Sequence, residues 1–449
     1  MTKTPIPRLV LTLSVPSVIS MLVTNIYNLV DTAFVGQLGT SASGAVGVVF
    51  GFMAIIQAFG FMFGQGAGSI LSRAFGRKDT EEASAYASVG FFMSFFSGLL
   101  ISLIGFLWLD GIVMALGSTD TIAPFAKTYI FYILLSAPFM CSCFTMNNIL
   151  RYEGKATLGM IGLMIGAVLN MAGDPILMFA LDMGIAGAGL STAMSQVISW
   201  LILLSMFLTG RADSRLRFRY LRGGLWRKVW NIATTGFPSM LRQGLNSFST
   251  VILNTLCAPY GDAAVAAMSI VSRIVFFAFS VALGVGQGFQ PVSAFNYGAK
   301  QYERLRKGYR FTVAMSEAVI VVGCVLLVVF AGKLVGLFRD DPQVIEIAIP
   351  ALRLQALATL LLPPCMATEM LMQSTGKRLG ATVLSALRNG LLFIPALLIL
   401  ANLRGLDGIR EAQPLAYVLA FPITMVLAYR FFRKIPAEDA PTDDAEKTA

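Results

Sequence analysis

No histidine occurs in the 449 residues. Neither an imidazole proton shuttle nor a histidine-based metal site is therefore available, and proton chemistry must run on carboxylates. Charge is scarce too: Asp, Glu, Lys and Arg make up 13% of the chain against 56% hydrophobic residues, with a mean hydropathy of +0.73. That balance excludes an ordinary soluble domain. The five cysteines (141, 143, 257, 324 and 365) are odd in number and all fall in apolar runs, which excludes a disulfide framework. Cys141 and Cys143, two apart on a helix, point in different directions and make no metal pair. No long polar loop offers a sensing domain, and no Gly-rich loop sits in a strand-helix setting that would cradle phosphate. A membrane enzyme or receptor is not expected.

What the chain has is apolar runs. Twelve are long enough to cross a hydrocarbon core of about 20 residues, at roughly 9–35, 44–70, 83–109, 122–150, 157–181, 185–208, 229–257, 264–294, 306–331, 343–373, 380–402 and 413–432. The reading is an all-α membrane protein with twelve transmembrane helices. The opening MTKTPIPRLV is followed by an apolar run too long for a signal peptide, and no small-residue cleavage site is evident, so that run is expected to stay as the first helix. Lys and Arg concentrate in alternate loops, at Arg73, Arg77, Lys78, Arg151, Lys155, the stretch from Arg211 to Lys228, Lys300 to Lys307, Lys377, Arg378, and Arg430 to Lys434. Loops rich in Lys and Arg lie on the cytoplasmic side, so both termini are expected there. The formal charge of +10 then reflects topology and attraction to anionic inner-leaflet lipid, and calls for no nucleic-acid partner.

An internal repeat organises the runs. GQG at Gly64 recurs at Gly286, a shift of 222, and without a gap the same shift pairs Pro16 with Pro238, Ser17 with Ser239, Gly39 with Gly261, Lys78 with Lys300, and Gly154-Lys155 with Gly376-Lys377. The chain is thus read as an N-terminal six-helix lobe (1–209), a basic cytoplasmic linker (210–228), a C-terminal six-helix lobe (229–434) and a polar, acidic tail (435–449) expected to be disordered. Six is even, so the bundles are expected to be parallel and related by a pseudo-twofold axis along the membrane normal, an architecture that points to alternating access.

Ionisable residues inside spans are costly and are functional candidates. Asp31 and Asp174 stand where the second copy has Leu253 and Ala396. Conversely, Arg242, Arg273, Glu317, Glu369 and Arg388 stand where the first has Ser20, Gly51, Phe95, Asn147 and Gly166. The shared fold therefore requires none of them. Asp31 and Asp174 fall at similar depth in the first and fifth helices, with Tyr27 and Asn170 one turn before them and Thr192 on the sixth. Two carboxylates, an amide and a hydroxyl suit a proton or a hard cation such as Na+. The structural alternatives are an interfacial Asp31, a kink cap at Asp174-Pro175, and ion pairing among the second-copy charges. Pro16 lacks an N–H and makes the first helix easy to bend, which offers a link between the charge on Asp31 and helix shape.

With VDTAFVGQLG, GQGAGSILSRAFGRKD, RYEGKATLGMIGLMIGAVLNMAGDPIL, FPSMLRQGLNSFSTVILN, VGQGFQPVSAFNYGAK and LRNGLLFIPALLIL in place, the chain resembles the multidrug and toxic compound extrusion (MATE) family from about 9 to 434, most of all its MepA-like bacterial branch. The resemblance implies a monomeric antiporter of the bacterial inner membrane that exports drugs and toxic organic cations in exchange for H+ or Na+, a basis for antibiotic resistance, with no other cofactor. It implies coupling at Asp31 and Asp174, polar support from Tyr27, Asn170 and Thr192, and bending at Pro16. One departure stands out: some members bind the cation through carboxylates in helices 7 and 10, where this chain offers Arg242 and Gln243 and an apolar stretch near Pro364, with Glu369 five residues further on. Coupling is therefore expected in the first copy, with Arg242, Gln243, Arg273, Glu317, Glu369 and Arg388 as substrate or supporting polar residues. A lipid-linked saccharide flippase of the same superfamily is the alternative reading.

Overall fold

The computed structural model describes residues 4–339, 341–436 and 439. In hydrocarbon a backbone polar group is satisfied only inside a helix or a closed barrel, and this chain takes the helical solution. Its long helices are α1 (Ile6–Gly36), α2 (Thr40–Gly76), α3 (Thr80–Leu107), α4 (Ala123–Tyr152), α5 (Ala156–Pro175), α6 (Ile185–Leu208), α7 (Leu225–Cys257), α8 (Asp262–Gly298), α9 (Tyr302–Val329) and α10 (Pro342–Ser374). The last rod, Arg378–Lys434, breaks at Gly405 (φ 60°, ψ −132°) into two arms, α11 (378–404) and α12 (406–434). Among the described residues ten segments are both long and apolar enough to span a membrane. Two facts reconcile ten with the twelve expected runs: α7 carries Arg242, Gln243, Asn246 and Asn254 and falls outside that set, and the two arms of Arg378–Lys434 count as one segment. Most of the expected tail, at 437, 438 and 440–449, lies outside the described residues.

The repeat is visible in the turns. Gly39 and Gly261 both take left-handed φ (118° and 90°), as do Gly154 and Gly376 (87° and 79°) and even Lys78 and Lys300 (64° and 57°). Each copy also inserts a short helix after its third span, Leu109–Ala115 and Ala331–Phe338, again 222 apart at their first residues.

By contact the chain forms two compact units, and they do not follow the midpoint of the sequence. One combines Ile19–Ser72 with Asp79–Gly244; the other, over its described residues, combines the chain up to Val18, Arg73–Lys78 and the chain from Leu245 onward. The repeated GQG explains the exchange. In the first unit a Cβ on Gly66 of α2 would overlap the Ile232 carbonyl of α7, one on Gly236 would overlap the Met62 carbonyl, and Ser239 donates to Gln65 Oε1 at 2.7 Å. In the second, a Cβ on Gly288 of α8 would overlap Ser14 of α1, and Ser14 Oγ donates to the Val285 carbonyl at 3.2 Å. The opening stretch of each copy's first helix thus packs, backbone on backbone, against the second helix of the other copy. Small residues permit this approach where lipid supplies little hydrophobic drive. Each unit keeps its own apolar core, built around Val49, Ile56, Ile130, Ile133 and Leu134 in one and around Val271, Leu352, Ala356, Leu397 and Ile409 in the other.

Candidate cation site

Four helices of the first unit bring the site together. α1 supplies Tyr27 and Asp31, α4 supplies Tyr129, α5 supplies Asn170 and Asp174, and α6 supplies Ser191 and Thr192. Asp31, Asn170, Asp174, Tyr129 and Thr192 are each no more than 1% exposed, so Asp31 is not an interfacial carboxylate in water. Glycines set the spacing. A Cβ at Gly173 would stand 2.6 Å from Ser191 Oγ and one at Gly166 would overlap Ser199, so α6 lies close enough to α5 for Ser191 and Thr192 to reach Asn170. Past Asp174 the helix continues through Pro175 into a π-turn, Ile176–Ala180. Such turns absorb a register change without unwinding the rod, so Asp174 sits within continuous helix and does not cap a break.

The hydrogen bonds form one network. Tyr129 donates its hydroxyl to Asp31 Oδ2 at 3.2 Å and lies 3.3 Å from Thr192 Oγ1. The Asn170 amide stands 3.2 Å from Asp174 Oδ1, 3.3 Å from Ser191 Oγ and 3.2 Å from Thr192 Oγ1, while Ser191 donates back to the Asn170 carbonyl at 3.2 Å. The two carboxyl groups lie within electrostatic range of each other, and Tyr27 is buried within electrostatic range of both. Three acceptors remain without a hydrogen-bond partner among the described residues: Asp31 Oδ1, Asn170 Oδ1 and Asp174 Oδ2.

Neither carboxylate has a cationic partner among the described residues. Two unit charges roughly 4 Å apart repel by about 4 kcal/mol at an effective dielectric near 20, before any desolvation is counted. The arrangement is therefore suited to holding a positive ion between the two acids. No group of three or more His, Cys, Asp or Glu among the described residues could hold a metal ion, so a sodium would rest on two carboxylates and neutral oxygens.

Tyr129 and Ser191 were not reached by the sequence reading. Tyr129 was within reach of the repeat, since it stands opposite Ala351 just as Asp31 stands opposite Leu253. Pro16 lies inside an unbroken α1, two residues before the point where that helix passes from one compact unit to the other.

The remaining candidates separate. Arg242 and Gln243, in the second copy by sequence, cluster by contact with the unit that holds the first-copy helices, because the opening of α7 packs on α2. Arg242 is buried within electrostatic range of Arg151. Glu369 and Arg388 form a buried pair in the second unit at 3.8 Å; Ser385 donates to Glu369 Oε1 at 2.9 Å, and the Arg388 guanidinium lies 5.3 Å from the Phe279 ring centre. Arg273 is exposed and Glu317 half-buried, and neither joins an ion pair among the described residues, which removes the expected pairing for these two.

Apolar helices in two related sets, with an uncompensated acid pair buried in one, define the class as a polytopic membrane transporter. The family model described as MatE matches residues 16–176 and 238–399, one match in each copy of the repeat. The chain belongs to the MatE family. It is 29% identical over 429 residues to the multidrug export protein MepA of Staphylococcus aureus strain MSSA476, covering 95% of this chain and 94% of that protein. It is 28% identical over 439 residues to the MepA of Staphylococcus haemolyticus strain JCSC1435, covering 96% and 95%. Among solved structures, a MOP superfamily transporter from Pyrococcus furiosus matches at a TM-score of 0.91 and 24% identity, covering 96% of this chain and 97% of that one. The bent form of the Vibrio cholerae MATE transporter VcmN matches at 0.87 and 24%, covering 95% and 97%. These structural likenesses establish the fold.

Proposed function

We propose that the protein is a secondary active multidrug exporter that releases organic, often cationic, compounds in exchange for H+ or Na+. One observation carries the coupling assignment: Asp31 and Asp174 are buried against each other without a counter-charge, and each keeps one oxygen unpartnered among the described residues. Cation entry neutralises the pair and removes the repulsion. Tyr129 and Asn170 hold the two acids in register, and Thr192 links Tyr129 to Asn170. Occupancy then changes what α1 gains by staying straight, and Pro16, two residues before that helix changes units, is the position where it can yield. The MepA relatives, matched over nearly their whole length, support drugs as the substrate class.

In this reading the protein works as a monomer in the bacterial inner membrane, with both termini cytoplasmic, in two six-helix lobes (1–209 and 229–434) joined by 210–228. The antiporter is favoured over a flippase because Arg388 is paired with Glu369 and so does not stand free beside Arg273 to receive a pyrophosphate. The test is drug efflux from proteoliposomes under an imposed pH or Na+ gradient. Wild type should respond to one gradient, whereas Asp31→Asn and Asp174→Asn should each lose at least about tenfold of the gradient-driven rate, corresponding to roughly 1.4 kcal/mol or more. Full gradient-driven export by both variants would overturn the coupling site. Translocation of a lipid-linked saccharide without drug export would favour the flippase.

A further inference from the structure

The stretch between α6 and α7, residues 210–228, carries six Arg and one Lys against a single acid, Asp213. It is nevertheless held in one place by contacts within its own unit. Buried Glu153 accepts from the backbone N–H of Asp213 at 2.8 Å and of Ser214 at 3.1 Å, and from the Ser214 hydroxyl. Lys155 donates to the Arg211 carbonyl and to Asp213, each at 2.6 Å. Ser84 accepts from the Arg215 N–H at 3.2 Å, and Ser88 both donates to the Arg215 carbonyl and accepts from the Arg217 N–H at 3.0 Å. Phe218 stacks on Phe92 with ring centres 4.0 Å apart. The backbone is pinned, and the side chains of Arg215 and Arg217 are left exposed.

Beside this strap lies a groove of about 540 Å³ that joins two chemistries. Arg215 and Arg217 line it from the strap, with Asp213 already engaged by Lys155; Phe207, Leu208 and Leu216 give it an apolar side. Leu208 is 72% exposed at the end of α6, and Trp226 and Trp230, one helical turn apart at the start of α7, are 80% and 68% exposed. Tryptophan beside arginine at the end of a membrane helix fits the headgroup layer. A soluble anion would use the arginines and leave the apolar side bare.

We propose that this groove binds one anionic phospholipid of the cytoplasmic leaflet, its phosphate on Arg215 and Arg217 and its glycerol and upper acyl carbons along Phe207, Leu208 and Leu216. The pinned backbone holds the two guanidinium groups ready, so binding orders only side chains. The site is independent of the cation-coupling reading, since none of its residues touches the acid pair.

The experiment is native mass spectrometry of the full chain in detergent, titrated with phosphatidylglycerol, with phosphatidylcholine, and with inorganic phosphate. One phosphatidylglycerol should be retained in preference to phosphatidylcholine. Arg215→Gln with Arg217→Gln should weaken retention about thirtyfold, as the loss of two basic residues near a lipid surface implies. Leu208→Asp should also weaken it while leaving the charges in place. The thermal midpoint in phosphatidylcholine detergent micelles checks that the variants are folded, and the exposed positions should leave it unchanged. Equal retention of both lipids, undiminished retention by the double arginine variant, or full competition by millimolar inorganic phosphate would overturn the proposal.

Discussion

Buried carboxylic acids behave differently here according to what surrounds them. Asp31 and Asp174 are acids among hydroxyls and an amide, and no cationic side chain among the described residues meets their charge. Glu153, just past the end of α4, instead meets N–H and hydroxyl donors of the linker. Those donors soften the cost of its burial without cancelling it: burial, with the nearby Asp213 charge, pushes Glu153 up to about 7 from 4.5. Because the folded value lies above the unfolded one, the folded chain holds a proton between pH 4.5 and 7 that the unfolded chain has released. The associated stability is complete below that window and lost as pH rises through it. Wild-type protein should therefore lose up to about 3 kcal/mol across the window. Glu153→Gln should lack that slope, as read by thermal midpoints measured from pH 5 to 8. At the cation site, Tyr129→Phe removes the hydroxyl that touches both Asp31 and Thr192. It should cost about 1–2 kcal/mol of stability and lower gradient-driven efflux several-fold in proteoliposomes. The acids were legible in the sequence because charge is rare in a span. Tyr129 was harder to see because tyrosine is common in apolar helices, and only its contrast with Ala351 marks it.

At the scale of helices, the site depends on how near α6 lies to α5. Gly166 and Gly173 fall on one face of α5, seven residues apart, and both lie against serines of α6. Gly173→Val would put two methyl groups where Ser191 Oγ now stands, separating the helices and breaking the contacts from Asn170 to Ser191 and Thr192. Overpacking of this kind costs about 1–3 kcal/mol, so the midpoint should fall. Coupled efflux should fall further than the folded fraction does, because the fault lies beside the acids; efflux that merely tracked folded protein would argue against this role for Gly173. The span boundaries were readable from length and hydropathy, whereas the π-turn after Asp174 was not. The Asp-Pro pair suggested a break, yet the chain passes through it by changing hydrogen-bond register, a choice set by tertiary packing.

For the whole molecule, duplication supplied the scaffold and divergence assigned the charges. The gapless shift of 222 made the two copies legible, and paired turn residues with the same left-handed φ bear it out. Sequence order alone did not reveal that the opening stretches of α1 and α7 exchange units, because that depends on which partner each GQG face meets in space. The exchange relocates Arg242 and leaves Glu369 and Arg388 as a self-contained pair in the second unit. If coupling resides in the first copy, this pair serves structure, and its removal has a distinct signature. Glu369→Leu alone strands a buried guanidinium and should cost about 3–5 kcal/mol, whereas Glu369→Leu combined with Arg388→Met replaces both charges by apolar bulk and should restore most of that loss. The double variant should also keep the ion dependence of drug efflux, measured under the same imposed gradients, while Asp31→Asn abolishes it. A double variant that is stable yet no longer responds to the gradient would move the coupling site into the second copy, since its stability would exclude misfolding as the cause.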